Sequence, residues 1–339
     1  MKETINTIRR YHEQTKHRLD AYAKGPEFLD WEHQPDPFRR FDGAPLIELP
    51  LLVSDGKKFI PEFNLTSVAA LLELSLGLSS WKQFGPDRWA LRCNPSSGNL
   101  HPAEGYVIST NINGLENGVY HYAPHEHALE QRGTYMASDQ KPQVLIGLSS
   151  ILWREAWKYG ERAFRYVQLD VGHAIGAFRY AAKALGLQIK LLSLDDTSIS
   201  QLLGLNRAAD FAQADPEHPD VIFQIDLQKH DFSSLQLPQI SHWQGSANSL
   251  GGLPKYHWDI IDQVASATTC RYPQQTEILV NTFPTMISSK DSLSDEMVLS
   301  RLIKQRRSAQ AFSGKDSEIN ITDFYHILDS LLPRSQQVP

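Results

Sequence analysis

Cysteine is scarce in this 339-residue chain, with Cys93 and Cys270 standing far apart in the sequence. That excludes a disulfide framework and a cysteine-rich zinc site, and it fits a reducing, cytoplasmic setting. Basic charge is not in excess either. The 33 Lys and Arg stand against 39 Asp and Glu, a formal net charge of −6, which is not the electrostatic footprint of a nucleic-acid binder. Nowhere does an uninterrupted apolar run approach the ~18 residues that a spanning helix needs. The richest stretch, Val171 to Leu187, is broken by His173, Arg179 and Lys183, so no membrane partner is expected. The opening MKETINTIRRYHEQTKH is charged from its first turn and lacks the apolar centre of a secretory signal. GxGxxG, P-loop and GxSxG patterns are missing too. Dinucleotide-fold, nucleoside-triphosphate and serine-hydrolase readings thereby lose their main supports.

What is present is enough to fold. Apolar residues make up 41 % of the chain, with 20 glycines and 19 prolines, ordinary usage for a globular protein. Residues 1–60 read as a leader in which Pro35, Pro37 and Pro45 oppose regular structure. Asn64 or Thr66 can cap a buried helix over SVAALLELSLGL that ends at Gly77. The stretch from Ser79 through Gly105 reads as a loop, followed by a short strand at Tyr106–Thr110. GVYHYAPHEHALEQR has strand, turn and strand character, with Pro124 in the turn. From Ala163 to Leu187 apolar and small residues recur at helical period, which predicts a central helix with little exposed surface. Gly172 and Gly176 inside it cost ~1 kcal/mol each relative to alanine, a cost that close approach of another backbone or a flat ligand would offset. IKLLSL (189–194) and VIFQI (221–225) are strand-like and flank a short helix at SISQLLGL. Residues 227–295 are poor in pattern, and a new helical pattern begins at Ser294.

Four places are able to carry chemistry. RCNPSSGNLHP (92–102) combines a proline turn, two hydroxyls and a glycine; such a loop delivers N–H groups to a flat ring or a phosphate, or is an ordinary turn. In WREAWKYGERAFRY, Lys158, Glu161 and Arg165 fit a solvated ion-pair ladder. The sharper reading takes Lys158 and Tyr159 as a half-buried pair whose pKa is lowered toward neutrality for proton abstraction. Asp170 and His173 lie one helical turn apart and either satisfy each other in the core or leave His173 to a ligand. His121, His125 and His127 span a turn that should splay them toward water, so no metal site is expected.

With these residues in hand, the chain resembles the flavin-dependent nitroreductase superfamily, and within it the SagB-type dehydrogenases related to the peptide azoline oxidases. The resemblance covers about residues 8–230 and rests on YHEQTKH, LDWEHQP, RCNPSSGNLHPAEGY, GVYHY and WREAWKYGERAFRYVQLDVGH, followed by AAKALGL and LLGL. It implies an α+β, nitroreductase-like fold with a mixed central sheet flanked by helices, a long buried central helix, and FMN at a dimer or pseudo-dimer interface. On that resemblance Arg92, Pro95, Ser96, Ser97, Gly98 and Asn99 match the loop that lies against the flavin, and Lys158 and Tyr159 match a catalytic Lys–Tyr pair. His101 stands where plain nitroreductases usually carry Gln, and VIFQIDL lacks a glycine that relatives place near the flavin phosphate. LSRLIKQRRSAQAFSGKDSEINITDFYHIL (299–328) resembles the opening of a second such domain. There Arg306, Arg307 and Ser308 match an FMN-phosphate motif and Gln310 replaces its second Arg, or the cluster is simply solvated.

The expected organisation is a leader (1–60), a nitroreductase-like FMN domain (61–230), a connection (231–295) and a truncated second domain (296–339). The expected function is an FMN-dependent oxidoreductase, a SagB-type dehydrogenase acting as a homodimer on a peptide or small molecule, with NAD(P)H as a candidate redox partner. A non-catalytic flavin-fold binding module and a general NAD(P)H-dependent nitro or quinone reductase are the alternatives.

Overall fold

The computed structural model describes residues 2–52, 63–137, 140–227, 235–251, 256–271, 296–309, 311, 314 and 318–332. Helix α1 (Lys2–Gln14) opens the chain, and an extended passage follows that includes the short strands β1 (Phe41–Asp42) and β2 (Leu46–Glu48). Asn64 then starts α2 (Leu65–Ser75) with a reciprocal cap. Its Oδ1 accepts the Ser67 N–H at 3.2 Å, and Ser67 Oγ accepts the Asn64 N–H at 3.2 Å. Nearly all of α2 is buried, including Val68, Leu71, Leu72 and Leu74, so its start fixes the register of a core helix. Asn64→Ala is expected to cost about 1 kcal/mol, read as a lower denaturant midpoint.

Part of the stretch expected to be a loop is a hairpin, β3 (Leu78–Phe84) and β4 (Asp87–Arg92), turned by Gly85 at φ +59° and Pro86. Five strands of the central sheet follow the pattern of apolar alternation or continuous apolar burial. They are β5 (Ala103–Thr110), β6 (Gly118–Ala123), β7 (Ala128–Thr134), β8 (Gln143–Ser150) and, later, β10 (His218–Ile225). Between β8 and β10 lie α3 (Leu152–Tyr159), α4 (Ala163–Ala184), β9 (Ile189–Leu191) and α5 (Asp196–Leu203). The remaining elements are β11 (His242–Trp243), β12 (Ser246–Ala247), α6 (Asp259–Thr268), α7 (Glu296–Gln305) and α8 (Ile321–Ser330).

The sheet runs β11-β7-β6-β5-β8-β10-β9, with β2 also on β7. The α+β expectation holds, but every pairing in this sheet is antiparallel rather than mixed. Successive hairpin connections through β5, β6 and β7 reverse the chain each time, which forces that geometry. One face of the sheet packs Val107, Val144, Ile146 and Leu148 against α2 and α4. The other packs Ile108, Leu145 and Ile222 against α5 and Phe41.

Two expectations need correction here. The stretch read as pattern-poor contains α6, whose Ile261 and Val264 are buried, and β11 and β12, which pair with β7 and β1. The helix α4 is not sheathed on all sides: Leu169, Gly172, His173 and Tyr180 are exposed. A Cβ built at Gly172 or Gly176 meets no atom within 4 Å, so among the described residues nothing approaches those glycines closely. The helical start expected at Ser294 and the replacement at Gln310 lie outside the described residues. Among the described residues no helix is long and apolar enough to cross a membrane.

Candidate active site

The PSSGN loop joins β4 to β5 and is held from behind by α4. Ser96 Oγ donates to Asp170 Oδ2 at 2.6 Å, the Ser97 N–H reaches both carboxylate oxygens at 3.0 Å, and Ser97 Oγ donates to Oδ1 at 2.9 Å. Asp170 therefore serves the loop, not His173, which is exposed. Burial raises the Asp170 carboxyl while these donors pull it down. Asn99 is also turned inward. Its Nδ2 donates to Ala90 O at 2.9 Å, and its Oδ1 lies 3.1 Å from His101 Nε2. Burial, with the Arg92 and Arg154 charges, holds His101 well below its usual pKa. The neutral ring thus donates Nε2–H to Asn99. The side chains of Ser96, Ser97 and Asn99 are consumed in shaping the loop, while Pro95 and Gly98 are exposed at its tip.

Gly98 sits at φ +63°, a left-handed conformation that glycine adopts without steric cost. Two side chains converge on it. A Cβ built there would lie 2.7 Å from Tyr159 Oη and 3.0 Å from Lys158 Nζ. Both come from the last turn of α3, which Gly160 ends at φ +52° beside Lys24 O and Gly25. Tyr159 also packs on Tyr166, ring centroids 4.3 Å apart. The phenol is pushed up to about 12 by burial, with Glu155, Tyr166 and Asp170 adding to the shift. The expected lowering toward neutrality thus fails for Tyr159, because burial and the Glu155, Tyr166 and Asp170 groups prevail even with Lys158 Nζ 5.7 Å from its ring.

The expected ion-pair ladder is absent as well. Glu161 accepts the Lys24 N–H at 3.3 Å, and Arg165 binds Thr15 Oγ1 at 2.9 Å, so both tie the leader to the α3–α4 corner. Arg92 lies beneath the loop, 3 % exposed. It donates to Pro37 O and sits 5.5 Å from the Phe38 ring, and burial lowers it to about 10 against the pull of Glu104. Arg306, at the end of α7, donates to Cys93 O at 3.3 Å, which brings it to the start of the loop. Its neighbour Arg307 donates to Ser79 O at 3.0 Å, Lys304 pairs with Glu73, and Ser308 is exposed.

Sequence reasoning missed four charged residues around this site, Glu104, Glu130, Arg154 and Glu155, and misplaced His121. Arg154 pairs with Glu104, Glu104 with His121 at 3.1 Å, and His121 with Glu130 at 2.7 Å, all buried. Thus His121 is a core residue rather than one splayed toward water. His127 contacts Tyr122 Oη at 2.8 Å, and only His125 of the three is exposed. Among the described residues no cluster of metal-ligating side chains occurs. The fourth missed residue, Glu155, is buried in α3. Its spacing of three residues before Lys158 was the available signal.

No protein-family model matches the chain. A Methanocaldococcus jannaschii protein named as a nitroreductase is 31 % identical over 130 residues, 34 % of this chain and 66 % of that protein. The trifolitoxin-processing protein TfxB of Rhizobium leguminosarum bv. trifolii is 32 % identical over 130 residues, 33 % of this chain and 35 % of that protein. A solved structure from Anabaena variabilis, also named as a nitroreductase, superposes with a TM-score of 0.65 at 20 % identity and covers 91 % of this chain. The matches span just under two thirds of the archaeal protein and of the Anabaena chain, and about a third of TfxB. The antiparallel sheet, its helical cover and the loop lodged against α3 define a nitroreductase-like fold. In sequence the chain is similar to the archaeal protein named as a nitroreductase and to TfxB.

Proposed function

We propose that this protein is an FMN-dependent oxidoreductase of SagB type, which moves a hydride between flavin and a peptide or small-molecule substrate. The observation that carries the reading is the meeting of Lys158 Nζ and Tyr159 Oη at Gly98. The residues suit FMN in kind. The tip of the loop offers exposed backbone at Pro95 and Gly98 for a flat ring; Arg306, which reaches the start of the loop at Cys93 O, and the exposed Ser308 two residues on would take the phosphate. Ser96, Ser97 and Asn99 act through the shape they give the loop, and Arg92 supports it from below. FMN, when bound, supplies the two-electron chemistry. Lys158 takes the role of base, and Tyr159, its phenol raised to about 12, holds and donates a proton.

The name of TfxB supports a processing role for this chain in turn. NAD(P)H is the redox partner we assign, and the cytoplasm is the compartment. The open glycine-bearing face of α4 supports a homodimer. The test is flavin uptake: purified protein mixed with FMN should retain the yellow chromophore through gel filtration, and failure to retain it overturns the reading. Lys158→Met should keep the flavin and lose turnover by ~10²-fold or more, measured under any acceptor–donor pair that the wild type turns over.

A further inference from the structure

Glu155 is wholly buried, and among the described residues neither of its carboxyl oxygens has a hydrogen-bond partner. An ionised carboxylate in that position would be among the costliest groups in the protein. It precedes Lys158 by three residues on the same helix, the spacing at which glutamate and lysine ordinarily pair. They do not pair here. Lys158 Nζ instead reaches the space beside Gly98. The charged groups facing Glu155 are Arg154 and Lys158 on α3 and Asp170 on α4, and the Tyr159 phenol senses its charge in turn. Two carboxyls so placed resist ionising together. Asp170 has the serine donors that favour its anion, whereas Glu155 has none. Burial first, and Asp170 second, push Glu155 up to about 9.

We propose that Glu155 is a positioning residue, held as a neutral carboxylic acid, whose protonation leaves Lys158 Nζ free to face the PSSGN loop. Ionised, it would draw the Lys158 ammonium back into an i,i+3 ion pair and away from Gly98. The inference rests on the reading of Lys158 as the working amine, and it makes the site self-limiting at alkaline pH.

Two measurements on the flavin-free protein test it, so failure of FMN uptake would leave this test standing. In the infrared, wild type at pH 7 should show a buried protonated-carboxyl stretch that disappears as pH rises through about 9 and is missing from Glu155→Gln. Absence of that band in the wild type overturns the proposal. Acylation of Lys158, followed by mass spectrometry, should be equal in wild type and Glu155→Gln at pH 7. Above the carboxyl transition the variant should label about tenfold faster, because an adjacent anion favours the charged, unreactive ammonium. Equal labelling on both sides of the transition overturns the positioning role. If Glu155→Gln does not fold, the wild type alone decides. Lys158 labelling that lags behind that of exposed lysines once the infrared band is lost supports the proposal, and labelling that keeps pace with them overturns it.

Discussion

Gly98→Val is expected to lower turnover by ~10²-fold and to strip bound flavin, while costing only about 1–2 kcal/mol of stability. The new Cβ falls 2.7 Å from Tyr159 Oη and 3.0 Å from Lys158 Nζ, closer than carbon tolerates. The loop itself has little freedom to yield, because Asp170 grips it through Ser96 and Ser97. Lys158 and Tyr159 meet the intruding carbon with the far ends of flexible side chains, so they are what moves. The fold therefore loses mainly the left-handed preference at φ +63°, whereas the site loses the placement of both polar groups. Gly98→Ala imposes the same first contact and should fall in the same direction with a smaller loss. Flavin absorbance after gel filtration separates the effects, with a thermal melt alongside. Full flavin retention and wild-type turnover in Gly98→Val would remove the convergence at Gly98 from the mechanism.

What the sequence made legible divides along a physical line. Features with local chemistry were readable. Asn64, one of the two candidate caps, capped α2, and α4 followed its apolar period; the meeting of Lys158 and Tyr159 at Gly98 was not among them. Features that depend on what lies opposite were not. The strand β8 is buried on both faces, so QVLIGLSS shows no alternation to mark it as a strand. The hairpin β3–β4 has exposed positions and a Gly-Pro turn, a pattern that also describes a loop. Asp170 was paired in sequence with His173 by helical spacing, yet its partners lie 73 and 74 positions away. The same limit hid the ion pairs of the core. Glu104, His121 and Glu130 sit on three strands, and each by itself looks like a surface residue. Only the register that sets His121 opposite Glu130 brings them together.

Those ion pairs set the second large effect: Glu104→Gln should destabilise the protein by about 3–5 kcal/mol, the usual cost of removing one partner from a buried pair. Glu104 bonds Arg154 through one oxygen and His121 through the other, and all three side chains are at most 1 % exposed. Among the described residues, its loss leaves Arg154 with the His101 and Asp36 carbonyls, at 2.8 and 3.0 Å, and leaves His121 with Glu130. The pH dependence gives the sign. Burial alone would lower His121, but its bonds to Glu104 and Glu130 outweigh burial and raise it to about 9. Stability from that histidine is complete below its ordinary value of ~6.5 and is lost as pH rises through about 9. Burial alone would raise Glu104, but Arg154 and His121 hold it down at about 2. Its contribution is complete above the ordinary carboxylate value and fades as pH falls toward about 2. Unfolding free energy in denaturant, measured from pH 5 to 10, should therefore decline on the alkaline side by up to ~1.4 kcal/mol per pH unit from this one group. In Glu104→Gln that decline should still begin at ~6.5 but end at lower pH and be smaller in total, because His121 has lost one of the two acceptors that raise it. Because Arg154 also holds the His101 carbonyl, the variant should loosen the PSSGN loop and weaken flavin retention together with stability. A variant within ~0.5 kcal/mol of wild type, with an unmoved alkaline limb, would show that the buried charges are not what holds β5, β6 and α3 together.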